Sequence, residues 1–451
     1  MSGDKLEAKP GSDFDGLEWL RDRIWGAEPR WTVEPDEDAI RKTVASSLDL
    51  ASVPCNIRFL AQGAFNKVYV VTFPEKKEVI ARVTLPVDPK WKTLSEVATV
   101  QWVRDNTSLP VPEIISFQAD RTSTIGFEWI VMSKMPGRSL GDRWRDVTLS
   151  AKEEIVRRFA LFYSETFHNQ LRGIGNLFLD DAGPGPGSSA QHRGSFRLQR
   201  IVSNEFLWDG HIHTQVSRGP FQSSRDWFLA RLSLAEMDCR GGLNRLENAA
   251  PEDQDEEDLE DLRHTMDIIT RLKQQLDKFF PPPGPDSEPE RTVILHDDLS
   301  RQNTLVDDRG NLTAVVDWEC ISALPLWYAC QIPPLLQGTP RDEEPVKTEY
   351  GHDEDGNLVE IFWEHLDHYE LTQLRRVFLA EMERLQPEWV EIFKSSQQLR
   401  DFDLAVSSCS DCFMIGTIRK WLDDVEKGVE GFEGLEERID GFGAIGEEGS
   451  E

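Results

Sequence analysis

Near Pro136 and Gly137 the apolar period of the chain changes from short β-rich runs to mainly helical spacing, and this change constrains the fold more than any other feature. Before it, short β-rich runs at Ile57–Ala61, Val68–Phe73 and Val79–Val83 are separated by polar turns at 62–67 and 74–77, which predicts a three-stranded antiparallel meander. A helical window follows at Leu94–Arg104, with Val97, Val100 and Val103 on one side, and then two further strands at Ile114–Phe117 and Phe127–Met132. After Gly137 the spacing is mainly helical. At 451 residues the chain exceeds one ordinary core, so the reading is α+β: a small antiparallel β-rich N-lobe and a larger, mainly helical C-lobe sharing one site.

The expected boundaries follow from the same spacings. Residues 1–50 form an N-terminal helical extension, with amphipathic helices predicted at Phe14–Trp25 and Asp38–Leu48; residues 51–135 are the N-lobe, 136–427 the C-lobe, and 428–451 an acidic flexible tail. The longest clean helix is expected at Ser150–Leu171, opened by Ser150 as N-cap with Glu153 three residues on. DAGPGPGSS at 181–189 reads as a flexible loop, and the acidic insertion 250–262, with eight acids in the ten positions 252–261, as a solvated, self-repelling surface. PPPGPDSEPE at 281–290 is an extended spacer leading to strands at Thr292–Leu295, Thr304–Val306 and Leu312–Val316, and the chain is helical again from Val359.

With 14 Trp, 23 Phe and 39% hydrophobic residues there is enough apolar surface for a substantial core. A net charge of −31 repels nucleic acid and anionic lipid, so neither is expected as a partner. The six cysteines are scattered, which predicts free thiols, and Cys409-x-x-Cys412, on a segment read as helix between Phe402 and Leu422, is expected to be a buried pair. The first residues lack a signal or transit pattern, and no apolar run approaches the roughly 18 residues of a membrane span. A cytoplasmic protein is expected.

The chemistry is concentrated in VILHDDLSRQNTLVDDRGNLTAVVDWE, residues 293–319. It carries His296-x-Asp298-x4-Asn303, two short strands around the turn 307–311, and Asp317 fourteen residues past Asn303. Phosphoryl transfer of the kinase type needs a carboxylate to orient the acceptor hydroxyl and take its proton, and an amide with a second carboxylate to hold the magnesium that neutralises the nucleotide phosphates. Asp298 fits the first role, Asn303 and Asp317 the other two. Asp297 is a rival base, but the spacing from His296 selects Asp298, and adjacent residues of an extended segment point opposite ways. His296 is read as a brace for the Asp317 segment. Glu319 is either a further metal ligand, an acid that supports the metal site, or a surface acid.

Together with AQGAFNKVYVV (61–71), EVIARV (78–83), SEVATVQWVR (95–104), LPVPEIISF (109–117), WIVMSKMPGRSL (129–140) and RGPFQSSRDWF (218–228), this stretch resembles the aminoglycoside phosphotransferase and choline kinase superfamily, most of all its large fungal group. The resemblance runs in order over roughly 57–330. It implies a protein-kinase-like fold and, as cofactors, ATP and Mg2+. It further implies that Gln62, Gly63, Ala64, Phe65 and Asn66, up to Lys67, cover the phosphates. Met132, Ser133 and Lys134 would meet the adenine as a hinge, and Glu96 would pair with the phosphate-gripping cation. That cation is Arg82, where the family's lysine would stand; arginine keeps the charge but is longer and planar. The loop has the single glycine Gly63, against three in the protein-kinase Gly-x-Gly-x-x-Gly. Asp317-Trp318-Glu319 replaces Asp-Phe-Gly and no Ala-Pro-Glu follows, which suits a small-molecule kinase better than a protein kinase.

The expected activity is ATP- and Mg2+-dependent transfer of the γ-phosphoryl group to the hydroxyl of a small molecule, with catalytic roles for Asp298, Arg82 and Glu96. The acceptor would be selected by Asp209–Arg240 and the helices after Val359, and a cationic acceptor would suit an acidic cleft. The alternative is a kinase-like pseudoenzyme that senses nucleotide or binds proteins as a scaffold; Arg82 favours it, and the intact Asp298, Asn303 and Asp317 oppose it. Protein partners are not specified by the sequence.

Overall fold

A computed structural model of the protein describes residues 15–22, 26–180, 195–250, 255–429 and 431–439. In the N-lobe a five-stranded antiparallel sheet has the order β3-β4-β5-β7-β6, from β3 (Asn56–Gln62), β4 (Asn66–Thr72), β5 (Glu78–Thr84), β6 (Ile114–Gln118) and β7 (Glu128–Ser133). The predicted meander and the two later strands are therefore present. Alternation along β5 divides its side chains between two cores. Val79, Ala81 and Val83 pack with Ile40 and Val44 of helix α1 (Glu37–Ser47). Ile80, Arg82 and Thr84 lie on the opposite face with helix α2 (Trp91–Asn106), whose Val97, Val100 and Val103 join Ile130 and Met132 of β7 in the core.

The N-terminal extension departs from expectation. The helix expected at Asp38–Leu48 is present as α1, but the described part of Phe14–Trp25 is not helical: β1 (Leu17–Asp22) pairs antiparallel with β2 (Gly26–Trp31), with Leu17 opposite Trp31. Leu17 and Trp19 stand two residues apart, so an extended chain places both on one face. That face is buried with Ala27 against Phe65, Phe178 and Leu207, and the Trp19 ring meets Trp208 edge-on at 5.7 Å. Tertiary burial, supplied by residues far along the chain, outweighs the helical spacing.

The chain enters the C-lobe through Gly137, whose φ of +105° and close approach to the Val306 carbonyl, 2.6 Å from where a Cβ would sit, leave room only for glycine. There follow β8 (Arg138–Ser139), α3 (Leu140–Arg143) and α4 (Leu149–His168). Helix α4 starts before the expected Ser150, because Thr148 caps it by accepting from the Ala151 amide at 3.3 Å. Beyond it lie β9 (Leu171–Arg172), β10 (Asn176–Leu179), β11 (Phe196–Gln199), α5 (Asn204–Leu207), α6 (Ser224–Glu247) and α7 (Glu256–Phe279). The DAGPGPGSS loop and residues 252–254 of the acidic block lie outside the described residues. The rest of that block opens α7: Asp255 caps it and Glu256, Glu257 and Asp258 occupy its first turn, where carboxylates favour the helix dipole.

Strands β12 (Arg291–Leu295), β13 (Thr304–Val306), β14 (Leu312–Val315) and β15 (Ser322–Pro325) carry the chemical segment, and α8 (Leu326–Ala329), α9 (Glu360–Leu385), α10 (Pro387–Ser395), α11 (Gln397–Ser407) and α12 (Ile415–Lys427) complete the lobe. The helical reading across Phe402–Leu422 is interrupted between α11 and α12, and the break separates the cysteines: Cys409 is buried and Cys412 exposed, correcting the expected buried pair. All six cysteines are free. The expected flexible tail is docked over 431–439, where Leu435 is fully buried and the Glu436 amide donates to Asp401 at 3.2 Å. Among the described residues no helix is long and apolar enough to cross a membrane.

Candidate active site

The segment 293–319 is built on the C-lobe core. Val293, Ile294 and Leu295 of β12 are buried, and His296 continues the strand inward with no exposed surface. Its Nε2 lies 3.3 Å from the Val316 carbonyl and its ring meets Trp318 at 4.7 Å, so the imidazole ties β12 to the end of β14. Trp318 is itself fully buried, its Nε1 donating to the Val315 carbonyl at 3.0 Å and its ring meeting Phe162 of α4 edge-on. A fully buried aromatic of this kind contributes roughly 2–3 kcal/mol.

Burial lowers the pKa of His296 to about 4. The fold therefore holds a neutral ring, whose contribution is complete above the unfolded value near 6.5 and is lost as pH falls through that value towards 4. The loss should reach roughly 3 kcal/mol. Denaturant titrations across this window should show a steeper fall in stability for the wild type than for His296→Gln, which keeps a donor for Val316 but cannot protonate; equal slopes would contradict the assignment.

Past His296 the chain turns outward. Asp297 and Asp298 both reach solvent, but protein crowds Asp297, and burial pushes its pKa up to about 6. The amide of Asn303 folds back on Asp298, with Nδ2 donating to its carboxylate at 2.8 Å and to its carbonyl at 3.0 Å. This leaves Oδ1 of Asn303 as an acceptor. The β13–β14 hairpin then returns the chain through a turn in which Asp307 Oδ1 accepts from the amides of Arg309 and Asn311 and Gly310 has a φ of +82°. A backbone bond from Val316 N–H to the Asn303 carbonyl, 2.9 Å, sets Asp317 beside Asn303. Asp317 adopts a φ of +66°, a conformation that aspartate tolerates better than most residues. Sequence spacing thus brings Asp298, Asn303 and Asp317 together in space. Their oxygens form a hard donor set, and one carboxylate and one amide with phosphate oxygens to complete the shell suit magnesium.

Facing this segment is a buried ion cluster. Arg82, 7% exposed in its side chain, pairs through Nη2 with Glu96 of α2, as expected, and through Nη1 with Asp317 at 3.3 Å. It also donates through Nη2 to Glu319 at 2.9 Å. Burial opposes the Arg82 charge, but Glu96, Glu319 and Asp317 outweigh it and raise its pKa. Glu96 is fully enclosed, and burial raises it to about 7 against the pull of Arg82 and Lys92. Asp317 is raised by burial and by the neighbouring Glu319 charge. Burial also opposes ionisation of Glu319, yet Lys92 and Arg82 overcome it and hold its pKa at about 2.

Lys92 has no counterpart in the sequence reading. It stands four residues before Glu96 on a helix, a spacing that ordinarily describes a solvated surface pair. Here its side chain is 1% exposed, pairs with Glu319, and lies 5.6 Å from the Phe65 ring. Glu319 is accordingly neither a surface acid nor positioned as Asp317 is: it is a counter-ion to two cations.

The remaining predicted residues are less uniform. The turn between β3 and β4 is tight, with Gly63 N–H donating to the Asn66 carbonyl at 2.9 Å. Gln62, Gly63 and Ala64 are exposed, Phe65 is tucked under Trp208, and Asn66 points into the ion cluster, accepting from Thr84 at 2.9 Å. Lys67 turns away to pair with Glu34 and lies over Trp31. At the hinge, Met132 is buried, Ser133 N–H is already bonded to the Glu113 carbonyl at 2.9 Å, and Lys134 pairs with Glu78 at 2.9 Å. The Ser133 amide is thus engaged by its neighbour strand.

Among the described residues, two clefts of the C-lobe bear on acceptor selection. One, of about 590 Å³, adjoins the segment 293–319 at Arg301 and is lined by Trp144, Trp363, Glu364 and Asp367. Arg301 lies 3.7 Å over the Trp144 ring and bonds both oxygens of Asp367 at 2.8 and 3.0 Å. The other, of about 550 Å³, is formed around α6 by Phe221, Leu229 and Met237. The two regions expected to select an acceptor therefore line separate clefts.

A family model described as the phosphotransferase enzyme family matches residues 56–328, more than half of the chain. The chain belongs to this family. The β-rich N-lobe and helical C-lobe are the family's kinase-like fold, and membership supports a phosphotransferase. Among similar proteins, a subtelomeric hrmA-associated cluster protein of Aspergillus fumigatus is 25% identical over 314 residues, 62% of this chain and 60% of that protein. The chain therefore spans about 60% of the length of that relative. Clavilactone A biosynthesis cluster protein Y of Ampulloclitocybe clavipes is 25% identical over 344 residues, 73% of each chain. Among solved structures, the apo form of a thermostable mutant of aminoglycoside phosphotransferase APH(4)-Ia has 14% identity and a TM-score of 0.42, covering 87% of this chain and all of that one.

Proposed function

We propose that this protein transfers the γ-phosphoryl group of ATP, in a magnesium-dependent reaction, to the hydroxyl of a small molecule. The observation that carries the proposal is the convergence of Asp298, Asn303 and Asp317 at one end of the C-lobe core, opposite the Arg82–Glu96 pair of the N-lobe. Asp298, solvent-accessible and steadied by Asn303, aims the acceptor hydroxyl and receives its proton. Asn303 Oδ1 and the Asp317 carboxylate would hold magnesium, which supplies charge neutralisation between the phosphates. Arg82, fixed by Glu96, meets the phosphates, and the turn Gln62–Asn66 covers them. The hinge Met132–Lys134 meets the adenine through groups other than the engaged Ser133 amide.

Calorimetric titration with ATP, with and without magnesium, tests the reading. The wild type should bind only with magnesium present, and Asp317→Ala should lose that dependence along with most of the affinity. At a hundredfold excess over Kd, binding should stabilise the wild type by about 2.7 kcal/mol. Absence of binding by the wild type would sink the phosphotransfer reading and favour the scaffold.

A further inference from the structure

One carboxylate oxygen joins the two lobes. Oε2 of Glu319, on the C-lobe segment two residues past Asp317, accepts from Asn66 Nδ2 at 2.7 Å, from Arg82 Nη2 at 2.9 Å and from Lys92 Nζ. These donors come from three N-lobe elements: the end of the proposed phosphate-covering turn, the central strand β5, and the first turn of α2. Lys92 also lies 3.4 Å from Asn66 Oδ1. Arg82 meanwhile serves Glu96, Asp317 and Glu319 at once, and its buried Nε has no partner among the described residues.

Carboxylates this close to one guanidinium compete with phosphate for the same donors. A lysine ammonium placed on one of them, Glu319, weakens that competition, because a buried charge is expensive unless neutralised locally. We propose that Lys92 and Glu319 form an interlobe pin that keeps Arg82 available to the nucleotide: Lys92 neutralises Glu319, which then registers the turn, β5 and α2 against the metal-binding segment without drawing the guanidinium away from phosphate. Both are positioning residues, acting through Arg82 and Asn66. The inference rests on the phosphotransfer reading and specifies what makes an arginine workable at that place.

The test is binding of ATP with magnesium, and of adenosine, to the wild type, Lys92→Met, Glu319→Gln and the double variant Lys92→Met/Glu319→Gln, with nucleotide-free melting curves for each. Lys92→Met should weaken ATP on the order of tenfold or more, the scale of coupling between contacting charges, while adenosine affinity is unchanged. The double variant, with both charges removed and Arg82 still paired to Glu96 and Asp317, should bind ATP within about threefold of the wild type and recover the melting temperature lost in Lys92→Met. The double variant carries the test even where Lys92→Met fails to fold. An equal loss of ATP and adenosine binding in Lys92→Met would show a merely structural lysine and overturn the pin. A double variant as weak for ATP as Lys92→Met would assign Lys92 a direct phosphate contact and overturn it as well. A wild type that binds no nucleotide would overturn the phosphotransfer reading and the pin with it; a wild type that binds, with variants that do not differ, would overturn the pin alone.

Discussion

Asp298→Asn should reduce turnover by about a thousandfold or more while leaving the Kd for ATP with magnesium within a few-fold of the wild type. The substitution preserves shape and keeps an oxygen for the Asn303 amide, which now donates to the Asp298 carboxylate at 2.8 Å. It removes the carboxylate proposed to take the acceptor's proton. The proposed metal-binding pair, Asn303 and Asp317, is untouched, and Asp317 stays where the Val316–Asn303 backbone bond puts it. ATP hydrolysis in the absence of an acceptor would give a rate to measure before the acceptor is known. Undiminished turnover in Asp298→Asn would remove the catalytic role of Asp298, and a parallel loss of ATP affinity would show that the residue binds nucleotide instead.

Arg82→Met should have the largest combined effect. It deletes a buried cation shared by Glu96, Asp317 and Glu319, and leaves Glu96, 2% exposed in its side chain, without its main partner. Breaking a buried pair in this way costs about 3–5 kcal/mol, more than replacing both partners by apolar groups would. Equilibrium denaturation should register that loss, and ATP binding should disappear with it. Arg82→Lys should be intermediate: a single ammonium keeps the charge but cannot reach Asp317 from one nitrogen and Glu96 with Glu319 from another, as the planar fork does. Restored stability without restored nucleotide binding in Arg82→Lys would separate the two roles of the guanidinium. Full activity in Arg82→Met would exclude it from the site.

The parts of the fold that were legible in the sequence are those in which local preference and burial agree. Strands β4 and β5 are β-rich runs that the fold largely buries, and α2 shows Val97, Val100 and Val103 at helical spacing on its buried side. Errors arose where one local pattern admits two structures. Leu17 and Trp19 suit either an amphipathic helix or a hairpin, and contacts with Phe65, Phe178 and Leu207 select the hairpin. Thr148 and Ser150 are both competent caps, and the bond to Ala151 selects Thr148. Cys409 and Cys412 share a helical spacing, but the break between α11 and α12 buries one and exposes the other. The glycines and acids past Gly428 suggest a flexible tail, yet over 431–439 Leu435 is enclosed by the lobe and Phe432 and Ile439 pack beside it.

The sequence by itself determined which residues meet at the chemical segment. Asp298, Asn303 and Asp317 lie within 20 residues of one another, separated by a hairpin whose turn residues, Asp307 to Asn311, are equally plain, so their geometry is local and their spacing records it. Only the tertiary structure decided how the opposing cations are arranged. Lys92 and Glu319 are 227 residues apart, and neither spacing nor residue type distinguishes them from surface charges. Their significance comes from desolvation: once α2 and the Asp317 segment close over them, water no longer screens the pair, and charges that would contribute little at the surface govern the position of Arg82.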